Sequence, residues 1–137
     1  MPLHAQAWQA ALKPLKLRVR RWSIYQWEGE SGVVTARRLL SQTSRTPSKR
    51  AVAALLSEKE RCLSLLARRI NVQPDFAAFI ARAAHRKIPL GLVTGTSARE
   101  VRRVAPKTVL SKFDVVVTGD RVRRGKPHPE PYQTAFR

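Results

Sequence analysis

The stretch Ile88-Pro-Leu-Gly-Leu-Val-Thr-Gly-Thr-Ser-Ala-Arg-Glu100 restricts what this chain can fold into more than any other. Leu90, Leu92 and Val93 form a short apolar run bounded by Pro89 and Gly95, the pattern of a strand covered on both faces. Pro89 can occupy a strand's first residue without breaking the ladder. Ser97 and Glu100 then spell a capping box, which predicts a helix starting at Ser97. A strand over 88–94, a tight turn and a helix start bring the hydroxyls of Thr94, Thr96 and Ser97 to one end of a sheet. Open α/β sheets bind ligands at the C-terminal ends of their strands, and helix N-termini favour anions. Ordinary capping would leave the same pattern.

The residues around this stretch alternate in period. Asp75 can cap a helix whose Phe76, Phe79, Ile80, Ala83 and Ala84 form an amphipathic stripe. Phe113-Asp-Val-Val-Val-Thr118 is β-branched and reads as a second buried strand, ended by Gly119-Asp120. Helix 75–86, strand 88–94, helix 97–104 and strand 113–118 predict a parallel sheet with crossover helices. Arg121 to Gly125 is a basic loop. Lys126-Pro-His-Pro-Glu-Pro-Tyr132 follows it, with Pro131 near a helix start. Parallel neighbours end on the same side of a sheet, so Thr94 and Lys126 can meet in one phosphate cradle. His128 is either a neighbour of that cradle or a surface histidine between prolines.

The first 74 residues read as helical. Leu3, Ala7, Trp8, Ala11 and Leu12 share a face of a helix over 3–12 that ends before Pro14. Leu15 to Arg21 is extended or a loose turn. Trp22 to Trp27 is expected in the core, and Glu28-Gly-Glu-Ser-Gly32 is a loop. A helix over 33–40, a polar connection over 41–49 and a long helix over 50–69 follow. In the long helix Ala53, Leu56, Leu63 and Leu66 are expected inward, and Glu58, Lys59, Glu60 and Arg61 outward. Cys62 lies beside that stripe and reads as a buried, inert thiol.

Composition sets wider bounds. The chain has 137 residues and is 43% hydrophobic, which suits a folded domain with a core. One cysteine excludes an internal disulfide framework and a cysteine metal site. The residues show no signal-peptide pattern and no membrane-length apolar run, so a cytoplasmic location is expected. There are 27 Lys and Arg against 9 Asp and Glu, a formal net charge of +18. Such a field attracts nucleic acid or anionic surfaces without specificity. The arginines are mostly scattered in pairs, as on solvated helix faces, and only Lys16 to Arg21 is a dense run.

Val93-Thr-Gly-Thr-Ser97 followed by Gly125-Lys-Pro-His-Pro-Glu-Pro-Tyr132 resembles the second and third motifs of haloacid dehalogenase-like hydrolases. The closer likeness is to the phosphoglycolate phosphatase and β-phosphoglucomutase subfamily. Pro2 to Leu12 resembles that subfamily's first cap helix, and Glu28 to Gly32 its cap loop. The resemblance implies an α/β fold: a partial Rossmannoid parallel sheet in three layers over 75–137, with an N-terminal helical cap over 1–74. It implies phosphoryl transfer on a small phosphorylated metabolite by a monomer, through an aspartyl-phosphate and with Mg²⁺. Thr94 and Lys126 would act at the transferring group, and Gly95 and Thr96 would bind it through backbone N–H groups. His4, Glu28, Gly29 and Ser31 would contribute to substrate choice from the cap.

The family's D-x-D-G nucleophile motif and its acidic Mg²⁺ pair have no counterpart in these residues. Asp114 and Asp120 are the acidic residues expected near the site, and neither matches a nucleophile or metal ligand. The expectation is a fragment of a longer protein, with Met1 internal to it, an unpaired edge on strand 88–94 and no turnover of its own. Two other classes stay open: a basic nucleic-acid-binding protein and a non-catalytic interaction module.

Overall fold

A computed structural model describes residues 2–67 and 72–137. The chain divides into two compact units, Met1–Arg68 and Arg69–Arg137. The first is helical: α1 (Pro2–Leu12), α2 (Arg21–Gln26), α3 (Gly32–Leu40) and α4 (Lys49–Leu66), with a 3-10 turn at Lys13–Leu15. The second contains α5 (Pro74–His85), β1 (Gly91–Val93), α6 (Ala98–Val104), α7 (Lys107–Leu110), β2 (Val115–Val117) and α8 (Glu130–Ala135). No described helix is long and apolar enough to cross a membrane.

The helices of the first unit start where polar caps precede apolar faces. Ser31 Oγ accepts the Val34 N–H at the start of α3, and Ser48 Oγ accepts the Ala51 N–H at the start of α4. Pro14 lacks an N–H and lies in the 3-10 turn that ends α1. Ala5, Trp8, Ala11 and Leu12 of α1 pack with Ile24, Ala36, Leu39, Val52 and Leu55 into one core.

Several expectations about this unit are corrected. The inward face of α4 is Val52, Leu55, Lys59, Cys62 and Leu63, and Ala53 is exposed. Lys59, expected in water, is buried with its ammonium 5.6 Å from the centre of the Trp8 ring. Its long aliphatic stem lets it occupy an apolar stripe. Trp22, expected in the core, is 68% exposed, and Ile24 takes the buried place in α2. Cys62 is buried, and burial raises its thiol pKa, with the Glu58 carboxylate adding to the shift.

In the second unit β1 and β2 pair in parallel, with Gly91 opposite Val115 and Val93 opposite Val117. This helix-rich α/β unit with its short parallel sheet has the expected fold class. The paired strands are shorter than expected: Pro89 lies before β1, and the ladder begins at Gly91. Among the described residues the sheet has two strands, so β1 is an edge. Asp75 does not cap α5. Gln73 holds the N-cap position, Pro74 opens the helix and Asp75 lies in its first turn. Of the α5 stripe only Ile80 and Ala83 are buried, whereas Phe76 and Phe79 are about half exposed.

Candidate phosphate-binding site

Three carboxylate clamps fix the strand ends and the loops that follow them. At the strands' N-terminal ends Asp114 Oδ2 accepts the Leu90 N–H at 2.8 Å, and the Asp114 N–H returns to the Leu90 carbonyl at 2.9 Å. Asp114 therefore lies at the end of the sheet opposite the candidate site, contrary to expectation. At the C-terminal ends the Thr94 N–H donates to the Val117 carbonyl at 3.0 Å, and the Gly119 N–H to the Thr96 carbonyl at 2.9 Å. The two turns touch here: a Cβ at Gly119 would lie 2.2 Å from the Gly95 carbonyl oxygen. Only glycine allows that approach.

Asp120 forms the second clamp. Its Oδ1 accepts the Thr118 hydroxyl at 2.6 Å and the Ala98 N–H at 3.0 Å. Burial, the largest single influence, opposes its charge, but these two donors together with its own N–H and the Arg121 charge hold its carboxyl below the usual range. The carboxylate thus ties the end of β2 to the first turn of α6. Ser97 Oγ accepts the Glu100 N–H at 3.3 Å, as the capping box predicts, although Ser97 is the cap and the helix starts at Ala98. As the residue that ends the second strand in the sequence, Asp120 carries no local sign of this bridge. The signal that points to it is long-range: the Thr-Gly-Asp run after β2, facing the Ser-x-x-Glu helix start.

Glu130 forms the third clamp and shapes the basic loop. Its carboxylate accepts the Arg123 N–H at 2.7 Å and the Arg124 N–H at 3.3 Å. The Arg123 N–H, and then the Arg124 N–H and guanidinium, hold Glu130 below the usual carboxylate range. The folded loop brings Lys126 back to β1, where its Nζ donates to the Val93 carbonyl at 3.3 Å. The same ammonium is 5.9 Å from the centre of the Tyr132 ring. His128 is half-buried, and its Nδ1 accepts the Glu130 N–H at 3.1 Å, so it braces the start of α8.

The structure therefore brings Lys126 to the peptide carbonyl that precedes Thr94. Thr94 Oγ1 accepts the Thr96 N–H at 3.2 Å, which leaves its own hydroxyl proton to donate. The Thr96 N–H is engaged by that bond and does not join a backbone anion cradle as expected. The Gly95 N–H takes no acceptor among the described residues. An ammonium has three protons, and one reaches Val93, so the corner can offer several donors to an anion.

The remaining predicted residues belong to the first unit. Burial and then the Lys59 charge lower the His4 pKa to about 4, so His4 is neutral near pH 7. Glu28 is exposed, Gly29 has φ 89° in the turn, and Ser31 caps α3.

The sequence profile of haloacid dehalogenase-like hydrolases matches residues 1–137. An uncharacterized protein of Haemophilus influenzae is 26% identical over 133 residues, 96% of this chain and 65% of its own length. The phosphorylated carbohydrates phosphatase of Thermotoga maritima is 37% identical over 76 residues, 55% of this chain and 34% of its own length. The crystal structure of β-phosphoglucomutase from Clostridium difficile superposes with a TM-score of 0.81 at 17% identity, covering 98% of this chain and 62% of that one. The chain thus spans less than two thirds of each of these relatives.

Proposed function

This chain belongs to the haloacid dehalogenase-like hydrolase family of phosphatases and phosphomutases, and we propose that its second unit holds the phosphoryl group of a small phosphorylated carbohydrate at the end of β1. The observation that carries this reading is the Lys126 ammonium donating to the Val93 carbonyl at 3.3 Å, one residue before the Thr94 hydroxyl. Thr94 Oγ1 and the Gly95 N–H would donate to phosphoryl oxygens, and Lys126 would balance their charge. Phosphoryl transfer depends mainly on positioning and electrostatic stabilisation, which such donors supply. The carbohydrate assignment draws on the Thermotoga maritima relative, whose name specifies phosphorylated carbohydrates. In this reading the protein is a cytoplasmic monomer whose first unit is the substrate-selecting cap, with His4, Glu28, Gly29 and Ser31 contributing to selection.

The carboxylate side of the chemistry is different. Among the described residues no group of three or more His, Cys, Asp or Glu could hold a metal ion. Asp120 is engaged by Thr118 and Ala98, and Asp114 by Leu90. The described residues do not fit Mg²⁺, and neither aspartate is placed as a nucleophile. We therefore propose that these 137 residues bind a phosphoryl group without turning it over.

Titration with inorganic phosphate, followed by ³¹P NMR, tests the site. Lys126→Ala and Thr94→Val should each weaken binding about tenfold or more, the effect of losing a hydrogen bond to a charged partner. Unchanged binding in both variants would remove the site. A parallel assay with p-nitrophenyl phosphate and Mg²⁺ should release no phosphate; robust turnover abolished by Lys126→Ala would overturn the claim of no turnover.

A further inference from the structure

A dense run of exposed basic residues lies in the first unit. The first 27 residues contain no Asp or Glu, yet they carry Lys13, Lys16, Arg18, Arg20 and Arg21, all exposed. Among the described residues no ion pair engages any of these five. Residues 17–20 run between the 3-10 turn and α2. Leu17 and Val19 pack against the core, while Arg18 and Arg20 are turned to solvent. The segment is pinned at both ends. The Leu17 N–H donates to the Leu12 carbonyl at 3.3 Å, and Gln9 Nε2 donates to the Val19 carbonyl at 3.1 Å. Trp22 follows directly, 68% exposed, with its ring edge-on to Tyr25 at a centroid distance of 6.5 Å.

We infer that this ridge, Lys13 to Trp22, binds single-stranded nucleic acid. Arg20 has extended dihedrals (φ −72°, ψ 139°), and burial alternates over residues 17–20 as in an extended chain, whose alternate residues repeat every ~6.6 Å, so Arg18 and Arg20 can meet successive phosphates of a strand laid along them. Fixing the ridge to the core in advance lowers the ordering cost of binding. The Trp22 ring supplies a face on which a base can stack whatever its identity. With the arginines on phosphates and the indole on a base face, none of these contacts reads a base edge, so recognition is sequence-independent. An anionic membrane is the competing partner for a basic surface, and the geometry disfavours it. Membrane-surface elements insert a continuous apolar face, whereas Leu17 and Val19 are packed against the core and only Leu15 and the Trp22 indole are exposed, at the two ends of the ridge.

The test is fluorescence anisotropy with the full chain and a labelled oligo(dT) or oligo(U) of about 12 nucleotides, within the usual site size for such binders. Both oligonucleotides should bind with similar affinity and a steep salt dependence. Replacing Arg18, Arg20 and Arg21 together by Gln should lower the log–log salt slope by about 2. Trp22→Ala should weaken binding roughly tenfold, with Trp22→Phe restoring most of it. The pair Arg82→Gln and Arg86→Gln, exposed in the last turn and at the C-cap of α5, removes charge elsewhere and should change affinity less than about twofold. Circular dichroism checks that each variant is folded. Three results would each overturn the inference: no binding at low salt, an equal loss in the α5 control, or no effect of Trp22→Ala. Tight binding to phosphatidylserine vesicles that depends on Trp22, with weak binding to oligonucleotide, would reassign the ridge to membranes.

Discussion

In the first unit Leu12, Leu39 and Leu63 are almost wholly removed from water, and no described side chain of the second unit is buried as completely. Among the described residues of the second unit the buried apolar side chains are Ile80, Ala83, Val101, Val117 and Pro131, while Phe76, Phe79, Ile88 and Phe136 stay about half exposed or more. An apolar cavity of about 360 Å³ lies in that unit, lined by Phe76, Leu92, Val104, Val109 and Phe113 among others. What organises it instead is the set of carboxylate clamps at Asp114, Asp120 and Glu130. One unit is held by packed side chains and the other by hydrogen bonds that fix turns. The clamped unit is the one that positions Thr94 and Lys126, since placing donors needs directional bonds more than volume.

The largest test of this contrast is a pair of truncations. Leu39→Ala removes a side chain with no exposure from the core and should cost ~2–5 kcal/mol in urea unfolding. Phe79→Ala, a larger deletion in the second unit at a residue 55% exposed, should stay within about 0.5 kcal/mol. Equal losses would mean that packing holds both units alike. Gly119→Ala comes next. Its new methyl would collide with the Gly95 backbone and force the turns apart, at ~1–3 kcal/mol. Phosphate affinity should fall with it, while fluorescence from Trp8, Trp22 and Trp27, all in the first unit, should not change. A normal phosphate titration in this variant would show that the turn contact does not shape the site.

How much of this was legible in the residues depends on how local the cause is. The strand–turn–helix at 91–104 could be read because Ser97, Glu100 and the apolar run act within a few residues. The face of α4 could not. Its apolar residues occupy two adjacent stripes, and the choice between them depends on Trp8 accepting the stem and charge of Lys59. The same holds for Trp22: aromatic content marks a cluster, but Ile24 takes the inward position. The strands were read too long because a ladder needs a partner, and β2 pairs with only Gly91 to Val93. At the site, Thr94 and Lys126 were visible as residue types. The clamps of Asp120 and Glu130 were not, because they join positions that only the fold brings together.

Acid separates the two units by the kind of group each relies on. The fold keeps His4 neutral down to a pKa of about 4, whereas an unfolded histidine takes up its proton near 6.5. The unfolded state therefore gains protons first as pH falls, and the stability of the first unit should drop by about 2 kcal/mol between pH 7 and 5 and by about 1 kcal/mol more before it levels off below pH 4. Asp120 and Glu130 have the same sign in a lower window: their lowered pKa values add stability that is complete above the usual carboxylate range and is lost as pH falls through that range. Between pH 7 and 5 tryptophan-detected unfolding should shift to lower urea, and His4→Gln should remove the shift. The amide signals of Val117 and Thr118 should stay in place over the same interval.

The smallest effect is expected where the first unit also uses a polar clamp. Arg38 grips Glu30 with contacts of 2.9 to 3.1 Å and lies 4.7 Å from the centre of the Trp27 ring. It looks like the clamps of the second unit, but both side chains reach water, at 40% and 22% exposure. Water and salt screen such a pair, and exposed pairs contribute below about 1 kcal/mol. The Glu30 clamp holds no side chain that contacts the phosphoryl group, unlike Glu130, which holds the loop that delivers Lys126. Glu30→Gln should therefore cost about 0.5 kcal/mol, less at high salt, and leave phosphate binding unchanged. Glu130→Gln should weaken phosphate binding even where its effect on unfolding is as small. If the two substitutions alter phosphate affinity equally, the clamps differ only in location, and the directional role assigned to the second unit fails.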